Sequence, residues 1–182
     1  LASRLDHPYA AHVYAFGIEE QDGLLWIAME LVHGITLNRW LRDHGPMPLD
    51  QLVPFFERVA EVVQAAHERG IVHRDLKPSN VMVIERAGQL LPKLLDFGIA
   101  KGTDVPLGRG KAPRAPVAPV STLHGDDHLT MSGSTLGSPH YMAPEQCLGT
   151  RDVTLAIDIY ALGCILFEML AGRPPFQSEG VG

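Results

Sequence analysis

Cysteine is scarce in this 182-residue chain, which has only two, Cys147 and Cys164, in no CxxC pair. A zinc pattern and a disulfide framework are therefore excluded, and two buried free thiols in a reducing compartment are expected. Basic residues are also in deficit, with 15 Lys and Arg against 21 Asp and Glu and a net charge of -6. Nothing in that balance favours nucleic acid as the main partner. No internal repeat and no signal peptide is visible, and the chain begins at Leu1, not at a methionine. Both ends read as cut, so a fragment of a longer protein is expected. The stretch from Val153 to Gly172 is apolar enough to raise the question of a membrane span. Asp158 and Glu168 lie within it and would each be costly at bilayer depth, so a buried core helix is expected and no membrane segment.

What the chain does contain is 46% hydrophobic and 20% charged residues, a globular balance. Its length suffices for one well-buried core or two small lobes. Leu1 to Leu5 read as a helix end, closed by Asp6-His7-Pro8. His12 to Gly17 and Leu24 to Leu31 read as strands joined by a turn at Asp22-Gly23. A short helix follows over 37–44, with Thr36 as N-cap, Leu37, Trp40 and Leu41 on one face and Gly45 as its stop. From Leu49 to Arg69 the residues Leu52, Phe55, Phe56, Val59, Val62, Val63 and Ala66 recur at helical spacing, and Gly70 ends the run. Pro54 would remove a backbone bond unless it sits in the first turn, which leaves the helix start open. Val81 to Ile84 and Leu90 to Leu95 read as a hairpin turning near Ala87-Gly88, and Asp152 to Gly172 as a helix.

Between the long helix and the hairpin lies His73-Arg74-Asp75-Leu76-Lys77-Pro78-Ser79-Asn80, a polar loop on a scaffold. A carboxylate, a lysine two residues on and an amide five residues on can converge there on one phosphoryl group. The hairpin then delivers Asp96-Phe97-Gly98 beside that loop. Asp-x-Gly alone is ordinary turn chemistry; its placement after the longer run makes it informative. From 102 to about 129, prolines alternate with Gly108, Arg109, Gly110, Lys111 and Arg114, which cannot be core and read as a solvated loop. Gly108-Arg109-Gly110-Lys111 is no phosphate loop, because Ala112 stands where Ser or Thr is required and no earlier glycine has the right spacing.

In order, the loop at 73–80, Asp96-Phe97-Gly98 and Ala143-Pro144-Glu145 resemble the motifs of eukaryotic-type (Hanks-type) serine/threonine protein kinases. Lys77-Pro78 resembles the serine/threonine branch, and the ending Tyr141-Met142-Ala143-Pro144-Glu145-Gln146 resembles bacterial members. The resemblance covers nearly the whole chain. It implies an α+β, bilobal kinase fold: residues 1–34 as a remnant of the small lobe and hinge, with two or more antiparallel strands, and 35–182 as a partial, mainly helical large lobe. Within it, 96–145 would be the activation segment, with a disordered insertion at about 102–129. Doubling such a loop costs only ~0.6 kcal/mol in closure entropy.

The resemblance also implies roles. Asp75 would orient and deprotonate a Ser or Thr hydroxyl, Lys77 would contact the transferring phosphoryl group, and Asn80 with Asp96 would hold Mg²⁺, or Mn²⁺. ATP would bind along the hinge, with Met29 as gatekeeper, adenine on the backbone around Glu30 and Val32, and Met82 beneath the ring. His73 and Phe97 would pack in the large-lobe spine. Ser138 would hydrogen-bond to Asp75 and Lys77, Glu145 would pair with an arginine beyond Gly182, and Asp158 would accept backbone bonds from the catalytic loop. Arg74 would pair with a phosphate on the activation segment, at Thr130 or Ser132 first and Ser134 or Thr135 second.

Expected partners are ATP, proteins carrying Ser or Thr, and a second copy for autophosphorylation, in the cytoplasm. No glycine-rich phosphate loop and no lysine in a Val-Ala-Ile-Lys context are present, so the 182 residues alone are expected to be inactive and to fold poorly. One alternative is a pseudokinase serving as a binding or scaffold module, against which Asp75, Lys77, Asn80 and Asp96 all stand. A small-molecule phosphotransferase of related fold is another, against which the Gly137-Ser138-Pro139 and Ala143-Pro144-Glu145 segment argues.

Overall fold

The computed structural model describes residues 5–19, 24–95, 139–148 and 154–176. At its centre is the long helix foreseen from periodicity. Helix α2 spans Leu49–His67 and buries Leu52, Phe55, Val59, Val62, Val63 and Ala66 along one side, each side chain of that size contributing ~1.5–3 kcal/mol by leaving water. Gly70 ends it in the left-handed region at φ 71°, and the Ile71 N–H returns to the Ala66 carbonyl at 2.9 Å. The start is resolved: the helix begins at Leu49 after Pro48, and Pro54 lies inside it. Proline lacks the N–H that would meet the Asp50 carbonyl, so one bond near the helix start is given up.

Before α2, strands β1 (Val13–Ile18) and β2 (Leu25–Met29) pair antiparallel, with a bulge between Val13 and Ala15. The turn expected at Asp22-Gly23 lies outside the described residues. β3 (Ile35–Thr36) leads directly into α1 (Leu37–His44), whose Leu37, Trp40 and Leu41 are buried and which Gly45 closes. Thr36 occupies the N-cap position as expected, but its side chain makes no capping bond. Its backbone pairs with Met82 across β3 and β4.

Strands β4 (Val81–Arg86) and β5 (Gln89–Leu94) form the expected hairpin, each extending closer to the Ala87-Gly88 turn than foreseen, and β3 adds to β4 to complete a three-stranded antiparallel sheet. Gly88 takes φ 73° and Ala87 φ 51° at that turn. The segment ahead of β1 docks on the same sheet: Ala10 bridges Leu94, with Leu94 N–H to the Tyr9 carbonyl at 2.7 Å and Ala11 N–H to the Leu94 carbonyl at 2.8 Å. Leu5 is buried but not helical, so no helix end is found there; residues 1–4 lie outside the described set.

Short α3 (Pro144–Cys147) and long α4 (Ala156–Ala171) complete the described chain. α4 starts later than the expected Asp152; residues 152 and 153 are not described. It buries Ile157, Ala161, Leu162, Ile165 and Met169 and stops at Gly172 in the left-handed region at φ 69°. Among the described residues no helix is long and apolar enough to cross a membrane. Cys164 is buried as expected, but Cys147 is exposed, because the short α3 buries none of its residues.

Candidate active site

The loop 73–80 begins where α2 ends and finishes in a 3-10 turn, Pro78–Asn80, that leads into β4. Its floor is Asp158, whose side chain is 1% exposed. One carboxylate oxygen accepts the His73 N–H at 2.8 Å, and the other accepts the Arg74 N–H at 2.9 Å. This is the arrangement the resemblance implied for Asp158. The oxygen bonded to His73 also accepts the His67 Nε2–H at 2.7 Å. A buried carboxylate needs such donors, since an unpaired one would carry a large desolvation penalty. His67, from the last turn of α2, was not singled out from sequence; its spacing gave it no distinction from other polar residues at a helix end.

Arg74 lies in the left-handed region at φ 67°, a conformation that costs a non-glycine residue roughly 1–2 kcal/mol. Its peptide is held on both sides, by Asp158 at the N–H and by the Gln146 amide, whose Nε2–H donates to the Arg74 carbonyl at 3.1 Å. Among the described residues no ion pair includes the Arg74 guanidinium.

This strained corner turns the next side chains toward one another. Lys77 Nζ donates to Asp75 Oδ2 at 2.8 Å, and Asn80 Nδ2 donates to the Asp75 carbonyl at 2.9 Å and to Oδ2 at 3.4 Å. Lys77 and Asn80 thus both meet Asp75. With the Asn80 amide nitrogen bonded to Asp75, its Oδ1 is left as an acceptor.

His73 is fully buried, as expected, but it is not inert packing. Its Nδ1 accepts the Asp75 N–H at 3.3 Å and its Nε2–H donates to the Leu95 carbonyl at 2.9 Å. That pattern assigns the neutral ring with the proton on Nε2. Burial also pushes its pKa down, against the opposing pull of the Leu95 carbonyl, Asp158 and Asp75. The Leu95 N–H donates to the Asn80 carbonyl at 2.8 Å. The chain is thus pinned to the loop at the residue just before Asp96. Asp96 itself, Phe97, Thr130, Ser132, Ser134, Thr135 and Ser138 lie outside the described residues.

On the opposite side, Tyr141 donates its hydroxyl to Glu168, which is buried within α4. Burial and that carboxylate together push the Tyr141 hydroxyl pKa well up. Glu145 sits in the first turn of α3, half-buried. Arg74, Asp75, Lys77, Tyr141, Met142 and Gln146 line a small pocket between the loop and this segment.

The expected hinge residues are separate from that cluster. Met29 ends β2, and Met82 lies in β4 opposite Lys93. Glu30 is tied down by side chain and backbone. Its Oε2 takes the His12 N–H at 3.1 Å and pairs with Lys93 Nζ at 3.0 Å, and its own N–H reaches the His12 carbonyl at 2.8 Å. Burial alone would raise the Glu30 carboxyl, but the His12 N–H and the Lys93 ammonium outweigh it and hold it below its usual value. Val32 is half-buried beyond it.

A family model described as the protein kinase domain matches residues 1–181. Among curated proteins, serine/threonine-protein kinase PrkC of Bacillus subtilis is 37% identical over 178 residues, covering 98% of this chain and 23% of that protein. Serine/threonine-protein kinase pkn3 of Myxococcus xanthus is 39% identical over 179 residues, covering 98% of this chain and 29% of that one. The chain therefore spans about a quarter of the length of these relatives. Among solved structures, the PknI kinase domain of Mycobacterium tuberculosis superposes with a TM-score of 0.67 at 30% identity, covering 100% of this chain and 57% of that one.

Proposed function

Since the chain belongs to the protein kinase domain family, we propose that it carries the catalytic-loop part of a serine/threonine protein kinase domain that transfers the γ-phosphoryl group of Mg-ATP to protein Ser or Thr hydroxyls. The observation that carries this reading is the convergence of Lys77 Nζ and Asn80 Nδ2 on Asp75. Residues 1–34 form the small-lobe and hinge portion and 35–182 the large-lobe portion.

Asp75 orients the incoming hydroxyl and accepts its proton late in the transfer. An ordinary carboxylate is a weak base, so positioning is its larger contribution. Lys77 sits beside it as a cation for the transferring phosphoryl oxygens. The donor set suits a hard cation: Asn80 offers an amide oxygen and Asp96 a carboxylate, and Asp96 follows a residue hydrogen-bonded to Asn80. Magnesium or manganese bound there with ATP supplies charge that offsets the phosphates. The backbone at Glu30 and Val32, with Met29 and Met82 beside it, receives the adenine. His73, by joining Asp75 to Leu95, fixes the base relative to the metal-binding segment.

Arg74 gives the activation segment a receptor. A phosphate on Thr130 or Ser132, and after them Ser134 or Thr135, adds up to two negative charges that a guanidinium pairs bidentately. Such phosphorylation, placed by a second copy, activates the enzyme. The 182 residues by themselves, without a glycine-rich loop or small-lobe lysine, are inactive. The test therefore uses the full-length protein with Mg-ATP, following phosphate on residues 130–135 by mass spectrometry against an Asp75→Asn control. Phosphate in the wild type and none in the control is expected. ATP binding with no phosphate in either would overturn the reading in favour of a nucleotide-binding pseudokinase.

A further inference from the structure

Gln146 makes two hydrogen bonds of opposite sense with one amide. Its Oε1 accepts the Ala143 N–H at 3.0 Å, and its Nε2–H donates to the Arg74 carbonyl at 3.1 Å. The first bond is half of a capping box on α3; Ala143 has no polar side chain with which to return the other half. The second bond reaches 72 residues back along the chain, to a peptide whose left-handed φ of 67° has to be imposed from outside. Asp158 grips the N–H side of that residue from α4; Gln146 grips the carbonyl side from α3. The carbonyl it holds is that of the peptide bond leading into Asp75.

We infer that Gln146 is a positioning residue: its amide transmits the seating of the turn at Ala143–Cys147 to the Arg74–Asp75 peptide, and so to the orientation of the Asp75 carboxylate. When this turn shifts, the Arg74 carbonyl loses its donor and one of the two restraints on the strained corner. The role needs an acceptor and a donor on one short fork, which a neutral amide supplies and an apolar side chain does not. The inference rests on the phosphoryl-transfer reading above for its effect on rate, but the link itself is a matter of hydrogen bonds.

Glutamate separates the two bonds. An ionised carboxylate at 146 still accepts the Ala143 N–H but cannot donate to Arg74, and it sets oxygen against oxygen. A protonated carboxyl has one donor and one acceptor and restores both bonds. A half-buried carboxylate facing a carbonyl titrates above its ordinary range, so the lesion is reversible within an accessible pH interval. Charged and titratable groups around the site are Arg74, Asp75 and Lys77 from the loop, Tyr141 and Glu145 from the segment before and in α3, and Asp158 from α4. A new charge at 146 shifts the titration of these neighbours, so Gln146→Leu, which adds no charge, is followed over the same pH range as the reference.

The experiment uses the full-length protein as wild type, Gln146→Glu and Gln146→Leu. At pH 8 the Gln146→Glu variant is expected to lose about tenfold in kcat, the worth of one hydrogen bond. KM for ATP should stay within about twofold, because Gln146 does not contact the Glu30 or Val32 segment. Its kcat relative to wild type should climb as the pH is lowered from 8 to 5, whereas that of Gln146→Leu should stay low throughout. Hydrogen exchange of the 71–80 peptide, which needs no activity, should quicken in both variants at pH 8. Wild-type kcat and wild-type exchange in Gln146→Glu would overturn the inference; should that variant not fold, the same result in Gln146→Leu would do so. A wild type without transferase activity would defeat the functional reading, while the exchange data would still decide for or against the link.

Discussion

Replacing Asp158 by asparagine tests how the catalytic loop is held. The carboxylate is 1% exposed and accepts from three donors, the N–H groups of His73 and Arg74 and the His67 ring. Asparagine is nearly isosteric, but one of its two positions becomes an NH₂ group and must face a donor it cannot accept. Placed on the Arg74 side, it leaves that N–H unsatisfied; placed on the other, it faces both the His73 N–H and the His67 ring. Leaving one buried donor unmade costs about 1–3 kcal/mol, and the surviving bonds lose their charge assistance, about 1 kcal/mol each. For the Arg74-side placement, which loses only one donor, the sum is roughly 3–5 kcal/mol, to be set against the strain released if Arg74 leaves φ 67°. Urea unfolding of the full-length protein should therefore show the Asn variant destabilised by roughly that amount. Transfer rate should fall by at least tenfold even where the protein remains folded, because Asp75 follows directly on the released corner. An Asn variant with wild-type unfolding and wild-type kcat would refute the claim that Asp158 holds this loop.

Two further outcomes follow from the electrostatics. His73 is held neutral, with its pKa below the ordinary 6.5 because burial disfavours the imidazolium. The unfolded chain therefore takes up a proton that the folded one resists, so this term is fully present above pH 6.5 and is lost as the pH falls toward the folded value. Between pH 7 and 5 the stability of the wild type should drop more steeply than that of a His73→Phe variant, and parallel slopes in urea titrations would speak against it. Lys93→Met removes the ion pair with Glu30, whose side chains are 15% and 32% exposed respectively. Screening limits that loss to about 1 kcal/mol or less, and the difference in melting midpoint from wild type should shrink further in 1 M salt, where the Debye length is about 3 Å. A large, salt-independent loss would show that the lysine stem's packing or its bond to the Pro8 carbonyl at 3.1 Å, not the pairing of charges, is what matters there.

Much of the architecture was legible in the amino-acid order because it rests on short-range periodicity. The 3.6-residue recurrence from Leu52 to Ala66, with glycine behind it, specifies α2 whatever surrounds it. The β4–β5 hairpin and its Ala87-Gly88 turn are equally local, as is the spacing that brings Lys77 and Asn80 back to Asp75 within eight residues of His73. Pro54 and Thr36 show where local rules stop short. Helix α2 continues through its proline, and Thr36 holds the N-cap position without making the side-chain bond.

What only the tertiary structure decided is which polar groups meet across long stretches of chain. His67 meets Asp158 over 91 residues, Gln146 meets Arg74 over 72, and the His73 ring meets the Leu95 carbonyl over 22. The His67 and Gln146 side chains are locally unremarked, a histidine at a helix end and a glutamine after a glutamate, and each takes its role from a partner that must be satisfied once water is excluded. The exposure of Cys147, against expectation, has the same origin: burial depends on what packs over a helix, and α3 buries none of its residues. Residue spacing sets the elements and brings Asp75, Lys77 and Asn80 within reach of one another; the desolvated contacts between distant segments determine how firmly they are held.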